Sequence, residues 1–456
     1  MNKKNIMDDY VREAYEKGAF TGTWLYAEKG EIVSKGAVGW RDPQDTLPMR
    51  EDSVFDLASV SKQFTASAVM ILRRRGLLSL EDEVTKFFPE IPYKGVTVRH
   101  LLNHTGGLPD YMDWITKKAK EEDRIPGNDI IVRFLRECGK EAEFAPGEKW
   151  EYSNTGYCLL AQIVEQVSGI PFEEFLEKEI FVPAGMASTR VYHHRKDHLT
   201  VENLAVGLAV EYGGDKCVVP DDTEIHDYVI WLDGANGDGL VHSNIFDLYR
   251  WDRVLREGRI LIPEEQAMMY TPGKLNNGEV AGSPDDEDGD AYGFGWFPVN
   301  DPKFGLIVRH SGGWPGYSSW FERYLEADRV LIILCSRDSL DDRAREAFFA
   351  GIKAIARDEE PEPIRTIEEV MIKDPDKSGW EAFCGKYEFE EDSIFRIDGV
   401  LMKDGELWVK EYLNGKTFEE KLYPLSEKTF GFKSSTDEIT FEEGGLSLWG
   451  EIHKKL

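Results

Sequence analysis

Positive charge is in short supply. The chain carries 55 lysines and arginines against 85 aspartates and glutamates, a formal net charge of -30 over 456 residues. A surface of that sign repels phosphate backbones and anionic headgroups, which excludes nucleic acid and membrane surfaces as partners. Cysteine is scarce too. Cys138, Cys158, Cys217, Cys335 and Cys384 are odd in number, scattered, and form no CxxC pair. They read as free thiols of a reducing compartment rather than a disulfide framework. No stretch approaches the roughly 18 consecutive apolar residues of a membrane span. The opening "MNKKNIMDDYVREAYEKG" has basic residues but no apolar run behind them, so it is not a signal peptide. The expected compartment is the cytoplasm, or the periplasm or exterior if a leader has been removed. There is no internal repeat. A G-x-S-x-G elbow is also missing, which disfavours a Ser-His-Asp hydrolase.

What is present is a soluble globular composition, 41% hydrophobic and 31% charged, in a chain long enough for two or three domains. "TGTWLYAEKGEIVSKGAVGW" alternates around Lys29-Gly30 as a hairpin does. From about 58 to 215 the pattern turns helical. "SKQFTASAVMILRRRGLLSL" has apolar residues at helical spacing, with Gly76 placed as a C-terminal cap, and "TGYCLLAQIVEQVSGIPFEEFLEKEIF" predicts two helices broken at Gly169 and Pro171. Strands return in "YGFGWFPV", "FGLIVRHSG", "GYSSWFERYLE" and "RVLIILCSR". Strands at both ends of a helical middle predict an α+β domain over 1–360, whose antiparallel sheet is built from the two chain ends with the helical segment inserted. "ARDEEPEPIRT" (356–366) is charged and proline-containing, and the linker is set at 361–374. Beyond it, 375–456, short alternating runs broken at Asp398-Gly399, Asp404-Gly405, Asn414-Gly415 and Gly444-Gly445 predict a small all-β barrel or sandwich. "SPDDEDGD" (283–290) reads as an acidic loop; it lacks EF-hand spacing, so calcium is not expected.

The chemistry concentrates in "FDLASVSKQFTASAVMILRRRG", residues 55–76. Ser59 and Lys62 are three apart and share a helix face at its first turn, where unpaired N–H groups stabilise an oxyanion. A serine hydroxyl needs a base, and a lysine serves if burial or a neighbouring cation lowers its pKa. Alone, S-x-x-K is weak: a capping serine and a surface lysine have the same spelling. Two further signals follow in order. "FAPGEKWEYSNTGYCLLAQIVEQVSG" holds Tyr152-Ser153-Asn154, and "VRHSGGWPGYSSWF" holds His310-Ser311-Gly312.

Together with "VTVRHLLNHTGGLPDY" and "GDGLVHSNIFDLYRW", these stretches resemble the serine β-lactamase and penicillin-binding family over about residues 20–340. The resemblance is to the branch with class C β-lactamases, D-alanyl-D-alanine carboxypeptidases, D-aminopeptidases and esterases. It implies a β-lactamase-like fold and an acyl-enzyme mechanism. Ser59 would be the nucleophile, Lys62 the group that takes or relays its proton, and Tyr152 a second proton carrier. Asn154 would bind Lys62 and substrate, and His310 and Gly312 would line the cleft. The backbone N–H groups of Ser59 and Gly313 would form the oxyanion hole. His104 is expected to be structural. His194 and His198 lack a third ligand, so no metal is expected, and no cofactor.

His310 stands where class C β-lactamases carry a lysine. A neutral imidazole brings no fixed charge, which argues against efficient β-lactam hydrolysis. The C-terminal β segment resembles the lipocalin-like domains of D-aminopeptidases. The leading expectation is a serine hydrolase of small amides, D-residue peptides or carboxylic esters. The alternatives are a β-lactamase or D,D-carboxypeptidase, and a catalytically silent scaffold. The partner is then a small molecule or short peptide, with a homo-oligomer left open.

Overall fold

The computed structural model describes residues 2–212, 215–283, 291–389, 395–413 and 416–456. The acidic loop expected at 283–290, apart from Ser283, and the Asn414-Gly415 turn lie outside the described residues. The chain divides into two compact units. One comprises Gly22–Gly207 and Val219–Ser336; the other comprises Met1–Thr21, Leu208–Val218 and Arg337–Leu456.

The first unit is organised by a six-stranded sheet: β1 (Gly22–Glu28), β2 (Glu31–Val38), β3 (Phe297–Asp301), β4 (Gly305–Trp314), β5 (Tyr317–Tyr324) and β6 (Arg329–Cys335). The order is β2-β1-β6-β5-β4-β3, antiparallel throughout. The two chain ends meet where Gly22 pairs with Cys335. Lys29 and Gly30 both have positive φ, 50° and 79°, which gives the hairpin turn whose twist matches its strands. β3 begins later than "YGFGWFPV" suggests. At Gly295 (φ 75°) an added Cβ would lie 2.9 Å from the Gln63 Cα, so this segment turns to clear the helix bearing Lys62. Because β3 pairs only as far as Arg309, residues 310–314 of β4 are paired on one side alone among the described residues.

Three helices place the site. A 3-10 turn, Ala58–Ser61, runs directly into α1 (Lys62–Arg74), which is buried from Lys62 to Leu72 within the main apolar core. A helix buried all round is held by packing rather than by one amphipathic stripe. α2 (Asn154–Ser168) is capped by Ser153, whose Oγ accepts the Gly156 N–H, and stops at Gly169 in the left-handed conformation. α3 (Ile245–Arg256) lies outside the span 58–215 and packs on β1 and β6. A short sheet of Phe55–Asp56, Val241–Ser243 and Arg190–Val191 ties the segment before Ser59 to the loop that precedes α3.

In the second unit the helices Lys3–Glu16 and Asp342–Ala356 pack together, with the Phe20 and Phe348 rings stacked at 4.5 Å. The C-terminal strands form two antiparallel sheets: β7 (Phe395–Lys403), β8 (Glu406–Leu413) and β9 (Lys416–Lys421), then β10 (Tyr423–Pro424), β11 (Thr429–Gly431), β12 (Glu438–Glu442), β13 (Gly445–Leu448) and β14 (Glu451–Lys454). They share one apolar core around Trp380, Leu407, Phe430 and Phe441. No closed barrel forms among the described residues. The segment at 385–387 pairs its backbone with the strands through single bridges, Gly385 to Val400 and Tyr387 to Lys455, and does not run as a continuous strand. Asp398-Gly399 is not a turn either. It is a bulge inside β7, where the register with β8 shifts between Ile397 and Gly399.

Candidate active site

Lys62 is fully buried. A buried ammonium is tolerated only where its three N–H donors meet acceptors. All three do. Nζ lies 3.0 Å from Ser59 Oγ, 2.8 Å from Asn154 Oδ1 and 2.9 Å from the carbonyl oxygen of Asp238. The first follows from the i, i+3 spacing across the 3-10 turn. The second needs the first residue of α2 against the first residue of α1. The third comes from the loop 234–240, held to α1 by Thr65 Oγ1 donating to the Gly237 carbonyl and to the 3-10 turn by the Val241 N–H donating to Ser61 Oγ.

Tyr152 stands over this floor. Its ring centroid is 4.9 Å from Lys62 Nζ, a cation–π distance, so the lysine faces the ring. Its hydroxyl is buried with no hydrogen-bond partner among the described residues. The ring packs at 4.3 Å on His104, whose Nδ1 accepts the Ser153 N–H. Burial, reinforced by the Lys62 charge, pushes His104 well below the usual histidine pKa, so it is neutral with the proton on Nε2.

His310 is buried in the same aromatic wall, beside Tyr292, Phe297 and Tyr152. Nδ1 lies 2.6 Å from the Ser311 carbonyl, which can only accept, so Nδ1 carries the proton. Nε2 is therefore the acceptor for the Tyr292 hydroxyl at 3.1 Å. Burial first, then Lys62, pushes its pKa down to about 3. Gly312 lies against the turn that carries Ser59. A Cβ there would overlap the Leu57 carbonyl oxygen and lie 3.1 Å from the Ser59 nitrogen. Gly313 is exposed, with open space on its side-chain face.

The residues expected from the sequence thus come together: Lys62 in direct contact with both Ser59 and Asn154, Tyr152 above them, Gly312 beside Ser59, and His310 on the wall behind. His194 and His198 do not form a helical pair. They lie in a turn, with His194 3.8 Å from the Asp233 carboxylate, and no metal-holding group of three His, Cys, Asp or Glu occurs among the described residues. Three contributors were not read from the sequence. Asp238 acts through a backbone oxygen that any residue supplies, and "GDGL" was its only trace. Tyr292 carries no motif. Tyr111, whose hydroxyl donates to Asp238 Oδ2 at 2.9 Å, hides in "LPDY".

Residues 7–354 match the family model described as Beta-lactamase. The chain is 35% identical over 443 residues to Penicillin-binding protein 4* of Bacillus subtilis (strain 168), covering 97% of this chain and 94% of that one. Among solved structures, the octameric penicillin-binding protein homologue from Pyrococcus abyssi shares the fold, with a TM-score of 0.67, 22% identity and 99% of each chain covered. The D-amino acid amidase from Ochrobactrum anthropi SV3, complexed with D-phenylalanine, aligns with a TM-score of 0.60 and 26% identity over 74% of this chain and 92% of that one. No described helix is long and apolar enough to cross a membrane.

Proposed function

This chain belongs to the beta-lactamase family of serine hydrolases, and on that premise we propose that Ser59 is acylated by small amides or esters. The observation that carries this is the three-way placement of Lys62 Nζ on Ser59, Asn154 and Asp238. With Nζ neutral, its lone pair faces the Ser59 hydroxyl and removes the proton as Oγ attacks the carbonyl. Asn154 and the Asp238 carbonyl hold the resulting ammonium. The N–H groups of Ser59 and Gly313 would receive the oxyanion, Gly313 from the half of β4 that is paired on one side alone among the described residues. Tyr152, whose ring faces Lys62 and whose hydroxyl has no hydrogen-bond partner among the described residues, would pass the proton to the leaving group and later draw one from the hydrolytic water.

For the substrate, the neutral and doubly engaged His310 supports the amidase or esterase side. No fixed cation is offered there to a substrate carboxylate. Similarity to the D-amino acid amidase supports small D-configured amides. The second reading, a penicillin-binding or β-lactam-hydrolysing enzyme, is favoured by 35% identity with the Bacillus subtilis relative over nearly the whole chain. A homo-oligomer is part of the proposal and is checked by light scattering on the eluting peak.

The test is labelling with a fluorophosphonate and, separately, a fluorescent penicillin, located by mass spectrometry with Ser59→Ala as control. Fluorophosphonate on Ser59 without penicillin supports the amidase or esterase reading. A stable penicillin adduct moves the assignment to a penicillin-binding protein, and rapid drug loss without an adduct moves it to a β-lactamase. Absence of both labels on Ser59 overturns the mechanism.

A further inference from the structure

The turn that presents Ser59 is strained. Ala58 has a φ of 45°, in the left-handed region that side chains other than glycine avoid. The preceding residues give the cause. Asp56 ends a short strand, paired with His242, and only Leu57 and Ala58 separate it from Ser59. The chain must turn from that strand into the 3-10 turn within those two residues. Leu57 is pinned from both sides: its N–H donates to the Val241 carbonyl, and its own carbonyl accepts from Ser319 Oγ at 2.7 Å. The bend therefore falls on Ala58. One side chain compensates it. Asp56, 4% exposed, accepts the Ala58 N–H on Oδ1 at 2.8 Å, an Asx turn that favours a tight reversal. Asp56 forms no ion pair among the described residues. The charged and titratable groups facing it are Arg195, Asp238, Tyr317 and its strand partner His242, and Arg195 is committed to Asp221 at 2.7 and 2.8 Å.

We propose that Asp56 is a positioning residue. By accepting the Ala58 N–H it holds the left-handed turn that sets Ser59 Oγ within hydrogen-bonding reach of Lys62. The inference rests on the reading of Ser59 as the nucleophile. It also says what matters chemically, which is an acceptor oxygen at this position rather than a charge.

The experiment measures the second-order rate of fluorophosphonate labelling at Ser59, per folded molecule, in the full chain. Asp56→Ala should slow it about tenfold, the scale of one ordinary hydrogen bond lost at the reacting group. Asp56→Asn keeps an acceptor oxygen and should stay within about threefold of the parent. Ala58→Gly takes the left-handed φ without steric cost, so Asp56→Ala combined with Ala58→Gly should recover most of the rate. A residue that merely stabilised the fold would lower the melting temperature without this pattern of rescue. Parent-like labelling by Asp56→Ala overturns the proposal. So does slow labelling by a folded double variant, which also decides the matter if Asp56→Ala alone does not fold. Failure of the parent itself to label at Ser59 overturns the nucleophile reading, and this inference with it.

Discussion

Lys62 and His310 are buried almost equally, 0% and 2% exposed, yet the protein treats them in opposite ways. The floor around Lys62 is polar: three oxygens from three chain segments accept its protons, so a cation is accommodated without solvent. The wall around His310 is aromatic, and its one side-chain partner among the described residues, Tyr292, donates. Burial there removes the charge. The difference shows that depth alone does not decide ionisation; the number of acceptors within reach does. It also explains how His310 sits near Lys62 without mutual repulsion, since the wall keeps the imidazole neutral.

The sharpest way to break the contrast is at the floor. Lys62→Met keeps length and apolar stem but removes the base. Hydrolysis of p-nitrophenyl acetate should fall about a thousandfold, while the circular dichroism spectrum stays that of the parent. Next is His310→Lys, which forces a cation into the wall. With Tyr292 as its main neighbour, it should cost about 3 kcal/mol in urea unfolding. A variant as stable as the parent would show that the wall supplies acceptors after all. Gly312→Ala tests where floor and wall meet. Its methyl would overlap the Leu57 carbonyl, so stability should drop about 2 kcal/mol and the labelling rate at Ser59 should fall with it. Taken per pH unit, the smallest effect is one of pH. Because the folded-state pKa of His310 is depressed to about 3, the unfolded chain binds the extra proton between that value and about 6.5. Stability from this group is complete above the upper limit and is lost as pH falls through the window. His310→Gln should flatten the curve there by up to about 1.4 kcal/mol per pH unit, read by urea unfolding at stepped pH.

Much of this was legible, and for a physical reason. The proposed chemistry uses Ser59, Lys62, Tyr152, Asn154 and Gly312 as side-chain types, or for the lack of one, so spelling carries them. The hairpin at Lys29-Gly30 and the stop at Gly169 are likewise local statements about φ. What escaped depends on long-range placement. The Asp238 carbonyl reaches Lys62 across 176 positions, and a backbone oxygen leaves no signature. Tyr292 is an ordinary tyrosine until β4 brings His310 to it. Asp398-Gly399 has the spelling of a turn, but cross-strand pairing on both sides keeps it within β7 as a bulge. The sheets of the C-terminal segment alternate as barrel strands do; whether such strands close is settled by how their edges meet, which alternation does not encode.

The pairing of Gly22 with Cys335 governs how the molecule is made. β1 lies inside the sheet, between β2 and β6, yet its second neighbour is synthesised roughly three hundred residues later. At ribosomal speeds of about 5–20 residues per second, the β1–β2 hairpin waits on the order of 15 to 60 seconds with one edge uncovered. Through that interval its bare hydrogen-bonding edge is open to any passing strand. Growth of the nascent chain, rather than the intrinsic rate of sheet closure, then sets the earliest moment at which Lys62 can be enclosed.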